Sequence, residues 1–296
     1  MTLTLPNVLE TDVSGPLKYR EWQGPPETTF VLVHGLGGSS ISWAYVAPGL
    51  SQIGRVLAPD LVGFGETPRA GRDTGLMSER FALSRFICEH ATGRVVLCGS
   101  SMGGAISILQ AAVEPAEVGA LILSCSVYPP VAGALPDPLV AGIFAGYATR
   151  WIGEWIVGAR FRRADVERLV RTGFAMNEGR PHSVPEPVIL STIELETRRQ
   201  SDPEAPSAFL LAARSLLRLG GRRAAARRAL DGVGCPVLVL HGRLDRFIPI
   251  EWAAAELRRH PSWRHRFFHD LGHVPQLEAP GPWLAAVFDW WSDVVH

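Results

Sequence analysis

The residues best placed to do chemistry centre on Ser101, in the middle of Gly99-Ser100-Ser101-Met102-Gly103. This run follows the apolar segment Val95-Val96-Leu97-Cys98 and leads into Gly104-Ala105-Ile106-Ser107-Ile108-Leu109, a pattern of strand, sharp turn and helix. So tight a turn crowds the backbone on both sides of its central residue, and glycine two positions before and two after it avoids Cβ clashes. Ser101 is then forced outward at the end of a strand, beside the N–H groups and positive dipole end of the following helix. Such a place favours formation of an oxyanion. A hydroxyl is a poor nucleophile until a base takes its proton, so a histidine is required, with a carboxylate to hold its tautomer.

Two later segments supply both groups. The apolar run Pro236-Val237-Leu238-Val239-Leu240 leads into His241-Gly242-Arg243-Leu244-Asp245, which puts Asp245 on a loop at a strand end as the acid. A strand over Arg264–Phe268 precedes Asp270-Leu271-Gly272-His273-Val274-Pro275-Gln276-Leu277-Glu278, which puts His273 on the loop before the last helix as the base. The chain order Ser, Asp, His is one of the convergent triad orders and differs from those of chymotrypsin and subtilisin. His269 lies close to His273 but lacks the Val-Pro-Gln-Leu-Glu that follows it. His34 and His241 each precede a glycine at a strand end, where a ring can satisfy backbone groups without titrating usefully.

These loops need a scaffold that gathers strand ends together. From about residue 17 to 125 strands alternate with helices, with strands at Thr28–Val33, 55–58, 95–98 and Ala120–Ser124. A helix over 76–91 carries Leu76, Leu83, Phe86 and Ile87 on one face. The expectation is an α/β chain with a mostly parallel sheet flanked by helices and catalytic loops at the carboxyl ends of its strands. Between about 127 and 231 the alternation stops, and helices broken by Pro-rich turns follow Pro129-Pro130. The predicted division is a core of 1–126 and 232–296 with a helical insertion at 127–231.

With these residues in place, nearly the whole chain resembles the α/β-hydrolase superfamily, on the branch that carries a serine at the elbow. The likeness extends to Phe30-Val31-Leu32-Val33-His34-Gly35-Leu36-Gly37-Gly38, similar to the oxyanion loop after the third strand. Asp60-Leu61-Val62-Gly63-Phe64-Gly65 resembles the structural turn after the fourth strand, so Asp60 is expected to shape a turn and Asp245 to serve the histidine. A second acid position known in the superfamily, after the sixth strand, reads Ser124-Cys125-Ser126 and holds no carboxylate. The resemblance implies an α/β-hydrolase fold with an inserted α-helical cap, an oxyanion hole made by the backbone N–H groups of Leu36 and Met102, and no cofactor or metal. It implies a carboxylic ester hydrolase acting on a small, largely apolar substrate.

Two alternatives stand beside it. Ser101-Met102-Gly103-Gly104, Asp245-Arg246-Phe247-Ile248-Pro249, Gln276 and Glu278 look like the carbon-carbon hydrolases that cleave meta-fission products, although Leu36-Gly37-Gly38-Ser39 departs from that group's Ser-Gly-Pro-Gly. Other proteins of the fold keep a triad and act as small-molecule receptors with little turnover. Haloalkane dehalogenases and epoxide hydrolases of the fold carry aspartate at the elbow, where this chain has Ser101.

The cap is expected to choose the substrate. Val140, Ile143, Phe144, Tyr147, Trp151 and Trp155 recur at helical spacing, and Phe144, Tyr147 and Trp151 are the candidate substrate-binding residues. The pairs Arg222-Arg223 and Arg227-Arg228 read as a solvated helix face, with an anion clamp as the alternative. Across 296 residues, 47% are apolar and 20% charged, as in a folded globular chain. A formal net charge of +0 gives no global field to draw nucleic acid or an anionic membrane. No apolar stretch approaches a membrane span, and the first ten residues lack the basic and apolar regions of a secretory signal. Cys88, Cys98, Cys125 and Cys235 show no paired zinc spacing and read as buried free thiols, so a cytoplasmic location is expected. Monomer and homodimer are equally compatible with this sequence.

Overall fold

Runs such as Phe30-Val31-Leu32-Val33 and Leu121-Ile122-Leu123 are apolar at every position, which suits strands covered on both faces. The computed structural model describes residues 3–163 and 165–295. It contains eight strands: β1 Leu9–Asp12, β2 Pro16–Trp22, β3 Thr28–Val33, β4 Arg55–Pro59, β5 Arg94–Ser100, β6 Ala120–Ser124, β7 Val237–Gly242 and β8 Arg264–Phe268. They form one sheet in the order β1-β2-β4-β3-β5-β6-β7-β8. Only the β1–β2 and β2–β4 pairs are antiparallel; from β4 to β8 the sheet is parallel.

Alternate residues of each strand feed two cores. Val31, Val33, Leu97, Leu121 and Val239 pack with the helices Leu76–His90 and Met102–Val113. Phe30, Leu32, Val96, Cys98 and Leu240 pack on the other face with Trp43, Trp283 and Trp291. Leu76, Leu83, Phe86 and Ile87 are all buried, as their shared helix face requires. Two cysteines depart from expectation: Cys98 and Cys125 are buried, but Cys88 is on the exposed side of the helix Leu76–His90, and Cys235, just before β7, is only partly covered. All four are free thiols.

The pairing register gathers the functional loops. Val33 pairs with Gly99, Ser100 with Ser124, Ser124 with Leu240, and Gly242 with Phe268. The carboxyl ends of β3, β5, β6, β7 and β8 therefore lie along one edge, and the loops after them share one surface.

Between β6 and β7 the described residues form the helices Pro138–Ala148, Ile152–Arg163, Val166–Asn177, Glu186–Arg199, Ala205–Gly221 and Arg223–Asp231. Pro138 starts the first of these, where its missing N–H costs nothing, and Asp137 caps it by accepting the Leu139 N–H at 2.9 Å. The last, Arg223–Asp231, packs back against Met102–Val113. The apolar stripe expected to run through Trp155 is interrupted after Ala148, and Trp151 takes a left-handed φ of 70° before the next helix begins. No described helix is long and apolar enough to cross a membrane.

Candidate active site

Ser101 follows β5 and caps the helix Met102–Val113 with φ 53° and ψ −117°, a conformation that costs a non-glycine residue about 1–3 kcal/mol. The flanking glycines make that turn possible by close approach. A Cβ on Gly103 would lie 2.1 Å from the Val33 carbonyl oxygen, and one on Gly99 would lie 2.5 Å from the Gly104 Cα. Ser101 Oγ forms no hydrogen bond with any described residue and opens onto a cavity that His273 also lines.

His273 Nδ1 lies 2.7 Å from Asp245 Oδ2. A carboxylate accepts, so Nδ1 carries the proton and Nε2 keeps a free lone pair. The other Asp245 oxygen accepts the N–H groups of Phe247 at 2.8 Å and Ile248 at 3.0 Å. Burial alone would push the Asp245 carboxyl up, but His273, His241 and the Ile248 N–H together hold it below the usual carboxylate range. The Phe247 ring stacks on the imidazole with centroids 4.8 Å apart.

His241 is a buried neighbour of the pair. Its Nε2 donates to the Ile248 carbonyl at 2.9 Å and stands 3.4 Å from Asp245 Oδ2, while burial drives the ring toward its neutral form. His34 is likewise buried and neutral: Nδ1 donates to the Gly35 carbonyl at 2.8 Å and Nε2 accepts the Leu61 N–H at 2.9 Å. It ties the loop after β3 to the loop after β4. His269 is exposed. Asp60 shapes its turn by accepting Ser40 N–H at 2.6 Å and Glu66 N–H at 2.8 Å.

The loop after β3 passes directly beside the serine, since a Cβ on Gly35 would come within 3.1 Å of Ser101 Cβ. Leu36 lines the cavity, and Met102, at the first position of its helix, has an N–H with no intrahelical acceptor. The cavity holds about 900 Å³ and is walled largely by apolar groups, including Val140, Ile143, Phe144, Tyr147, Phe209 and Trp252. Of the predicted substrate-binding residues, Phe144 and Tyr147 reach it. Trp151 does not: it is 74% exposed, with the Arg150 guanidinium 5.1 Å above its ring, because the helix breaks before it. Trp155 is 72% exposed for the same reason.

An established family model, the alpha/beta hydrolase family, matches residues 30–287. This chain belongs to the alpha/beta hydrolase family. A pimeloyl-[acyl-carrier protein] methyl ester esterase of Aromatoleum aromaticum is 32% identical over 84% of this chain and 92% of its own. A 2-hydroxymuconate semialdehyde hydrolase of a Pseudomonas species is 26% identical over 89% of this chain and 86% of its own. Among solved structures, a thermophilic esterase from Thermogutta terrifontis superposes with a TM-score of 0.72 at 23% identity, covering 97% of this chain and 99% of its own. The 2-hydroxy-6-oxo-6-phenylhexa-2,4-dienoate hydrolase of a Rhodococcus species gives 0.74 at 21%, covering 98% and 100%. At these identities the structures establish the fold, and the sequence relatives establish a hydrolase.

Sequence reasoning missed how this hydrolase fastens its histidine loop. His273 N–H donates to the Asn177 carbonyl at 2.7 Å. Glu278 accepts Gly272 N–H at 2.8 Å, Gly179 N–H at 2.8 Å and the Ser183 hydroxyl at 2.9 Å, joining that loop to the helical insertion. Gln276 accepts the Ser124 hydroxyl at 3.0 Å. Pro275-Gln276-Leu277-Glu278 marks the context of His273 in the sequence, but nothing local reveals its partners. Cys125, His241 and Asp245 offer ligand atoms within 4.8 Å of one another. Asp245 is already committed to His273 and two backbone N–H groups, so this cluster suits a proton-holding network better than an ion.

Proposed function

We propose that this hydrolase cleaves a carboxylic ester by two-step acyl transfer at Ser101. The observation that carries the reading is the His273–Asp245 pair at 2.7 Å facing the same cavity as a serine held at positive φ. His273 Nε2 takes the Ser101 proton as the oxygen attacks the carbonyl carbon, and the N–H groups of Leu36 and Met102 receive the oxyanion. Asp245 holds the tautomer and stabilises the imidazolium, which then protonates the departing alcohol. Water, deprotonated by the same histidine, attacks the acyl-enzyme, and collapse of the second tetrahedral intermediate releases the acid and Ser101. The helical insertion of about 127–231 acts as the cap that shapes the pocket.

Intact mass spectrometry with a fluorophosphonate probe tests this directly. Stoichiometric labelling that disappears in Ser101→Ala and slows sharply in His273→Ala, with repeated turnover of p-nitrophenyl esters, is the expected result. Full turnover by Ser101→Ala would refute it. The likeness to 2-hydroxymuconate semialdehyde hydrolase favours a second reading, hydrolysis of a carbon-carbon bond in a dienoate. Bleaching of a coloured dienoate far faster than ester cleavage would establish that reading instead. A single slow labelling event without turnover would point to a small-molecule receptor.

A further inference from the structure

The cavity wall contains a partly buried guanidinium whose hydrogen-bonding capacity is unspent. Arg160 reaches it from the helix Ile152–Arg163, its Nε buried without an acceptor. Among the described residues it makes no hydrogen bond or ion pair, and its one contact of note is the Phe209 ring, whose centroid lies 5.2 Å away. Three other arginines of the insertion are engaged: Arg214 with Glu154 at 2.7 Å, Arg171 with Glu186 at 2.7 Å, and Arg199 with Glu196 at 2.9 Å. Glu196 also lines the cavity, but Arg199 holds it.

Phe209 connects this guanidinium to the reacting centre. Its ring edge would lie 3.3 Å from a Cβ on Gly37, so one face of the ring region borders the loop beside Ser101 while the cation sits over the ring. A guanidinium held over a ring keeps its N–H groups available for a planar carboxylate, which its fork can bind bidentately. Arg223, at the exposed rim of the same cavity, adds a second positive charge to the wall. A singly charged carboxylate fits this setting better than a dianion, because Glu196 shares the wall.

We propose that Arg160 receives a carboxylate at the non-reacting end of the substrate, so the preferred ester carries a free acid, as in the half-ester of a diacid. This rests on the ester-hydrolysis reading for its reacting end and narrows the substrate from apolar to anionic.

The test uses p-nitrophenyl half-esters of medium-chain diacids, each paired with the ester in which a carboxamide replaces the free acid. The readout is the ratio of kcat/KM for acid over amide, in which general damage to the enzyme cancels. The wild-type ratio is expected to exceed one by about tenfold or more, as a charge-assisted fork in a dry pocket gives. Arg160→Gln should bring the ratio to one or below, chiefly through KM, and Arg160→Lys should retain part of it. A wild-type ratio of one, or a ratio unchanged in Arg160→Gln, overturns the proposal. Calorimetric titration with the diacid monoamide and the diamide reads the subsite without turnover. Equal binding of the two, or equal binding of the monoamide by wild type and Arg160→Gln, also overturns it. If every ester is inert while the monoamide still binds preferentially through Arg160, the ester reading fails and the anion subsite stands.

Discussion

Asp245→Asn is the most searching perturbation of the site, because only one oxygen is altered in a fully buried network. In the wild type one carboxylate oxygen accepts two backbone N–H groups, from Phe247 and Ile248, and the other accepts the His273 Nδ1 proton at 2.7 Å. The amide can be seated in two ways. With its oxygen toward Phe247 and Ile248, its NH2 faces His273 Nδ1 and forces the imidazole proton to Nε2, the atom that accepts from Ser101 in the proposed mechanism. Flipped, it restores the tautomer but sets an NH2 against two buried N–H donors, at about 1–3 kcal/mol for each unsatisfied group. The inactive seating therefore wins by about 2–6 kcal/mol, less the small intrinsic tautomer preference. The lost negative charge beside the imidazolium adds to the penalty, and the expected fall in kcat is about 10⁴-fold, as for the equivalent change in serine proteases.

The assay is kcat for a short-chain p-nitrophenyl ester near neutral pH, with a thermal melt to establish that the variant is folded. A folded Asp245→Asn enzyme that lost less than about tenfold in kcat would refute the assignment of Asp245. The same substitution has a pH signature. The folded carboxyl is held below its ordinary range, so its contribution to stability is present above the unfolded value and lost as pH falls through the folded one. Asp245→Asn should flatten that acid limb.

Glu79 should act in the opposite direction: fully buried, with Oε1 unpartnered and Oε2 accepting Val62 N–H at 3.1 Å, its carboxyl is pushed by burial from 4.5 to about 8. The folded state binds a proton that the unfolded chain releases, so stability falls as pH rises between those values, by a few kcal/mol, and chemical denaturation of Glu79→Gln should show that slope removed. Gly103→Ala drives a methyl group into the Val33 and His34 carbonyls at 2.1 and 2.5 Å, and should cost about 3 kcal/mol in denaturant titration. Phe144→Ala and Tyr147→Ala should shift the chain-length preference of kcat/KM toward longer esters by about tenfold, whereas Trp151→Ala should leave the profile in place. An unchanged profile in both cavity variants would remove them from the pocket wall.

The sequence by itself determined the features that depend on neighbours along the chain. Gly99 and Gly103 were legible because the steric demand of the turn falls on residues two positions from Ser101. Thr28–Val33 and Ala120–Ser124 have the bounds expected from their composition, since a strand covered on both faces needs an apolar run with a turn at each end; the exposed edge strand Arg264–Phe268 also has its expected bounds, without such a run. The order of Ser101, Asp245 and His273 was equally plain, and the parallel sheet brings Asp245 and His273 together by aligning strand ends. What only tertiary structure decided lies between segments remote in sequence. Glu278 and Gly179 are 99 residues apart, and no local pattern in either announces their bond. Helical spacing placed Trp151 in the same stripe as Tyr147, but the helix ends at Ala148 with Thr149 extended, and Trp151, at a φ of 70°, is turned to solvent. Arg160 looks like any helical arginine until its surroundings are known. Periodicity records which face of an element is apolar; which groups then meet, and which charge is left without a partner, depends on how whole elements pack.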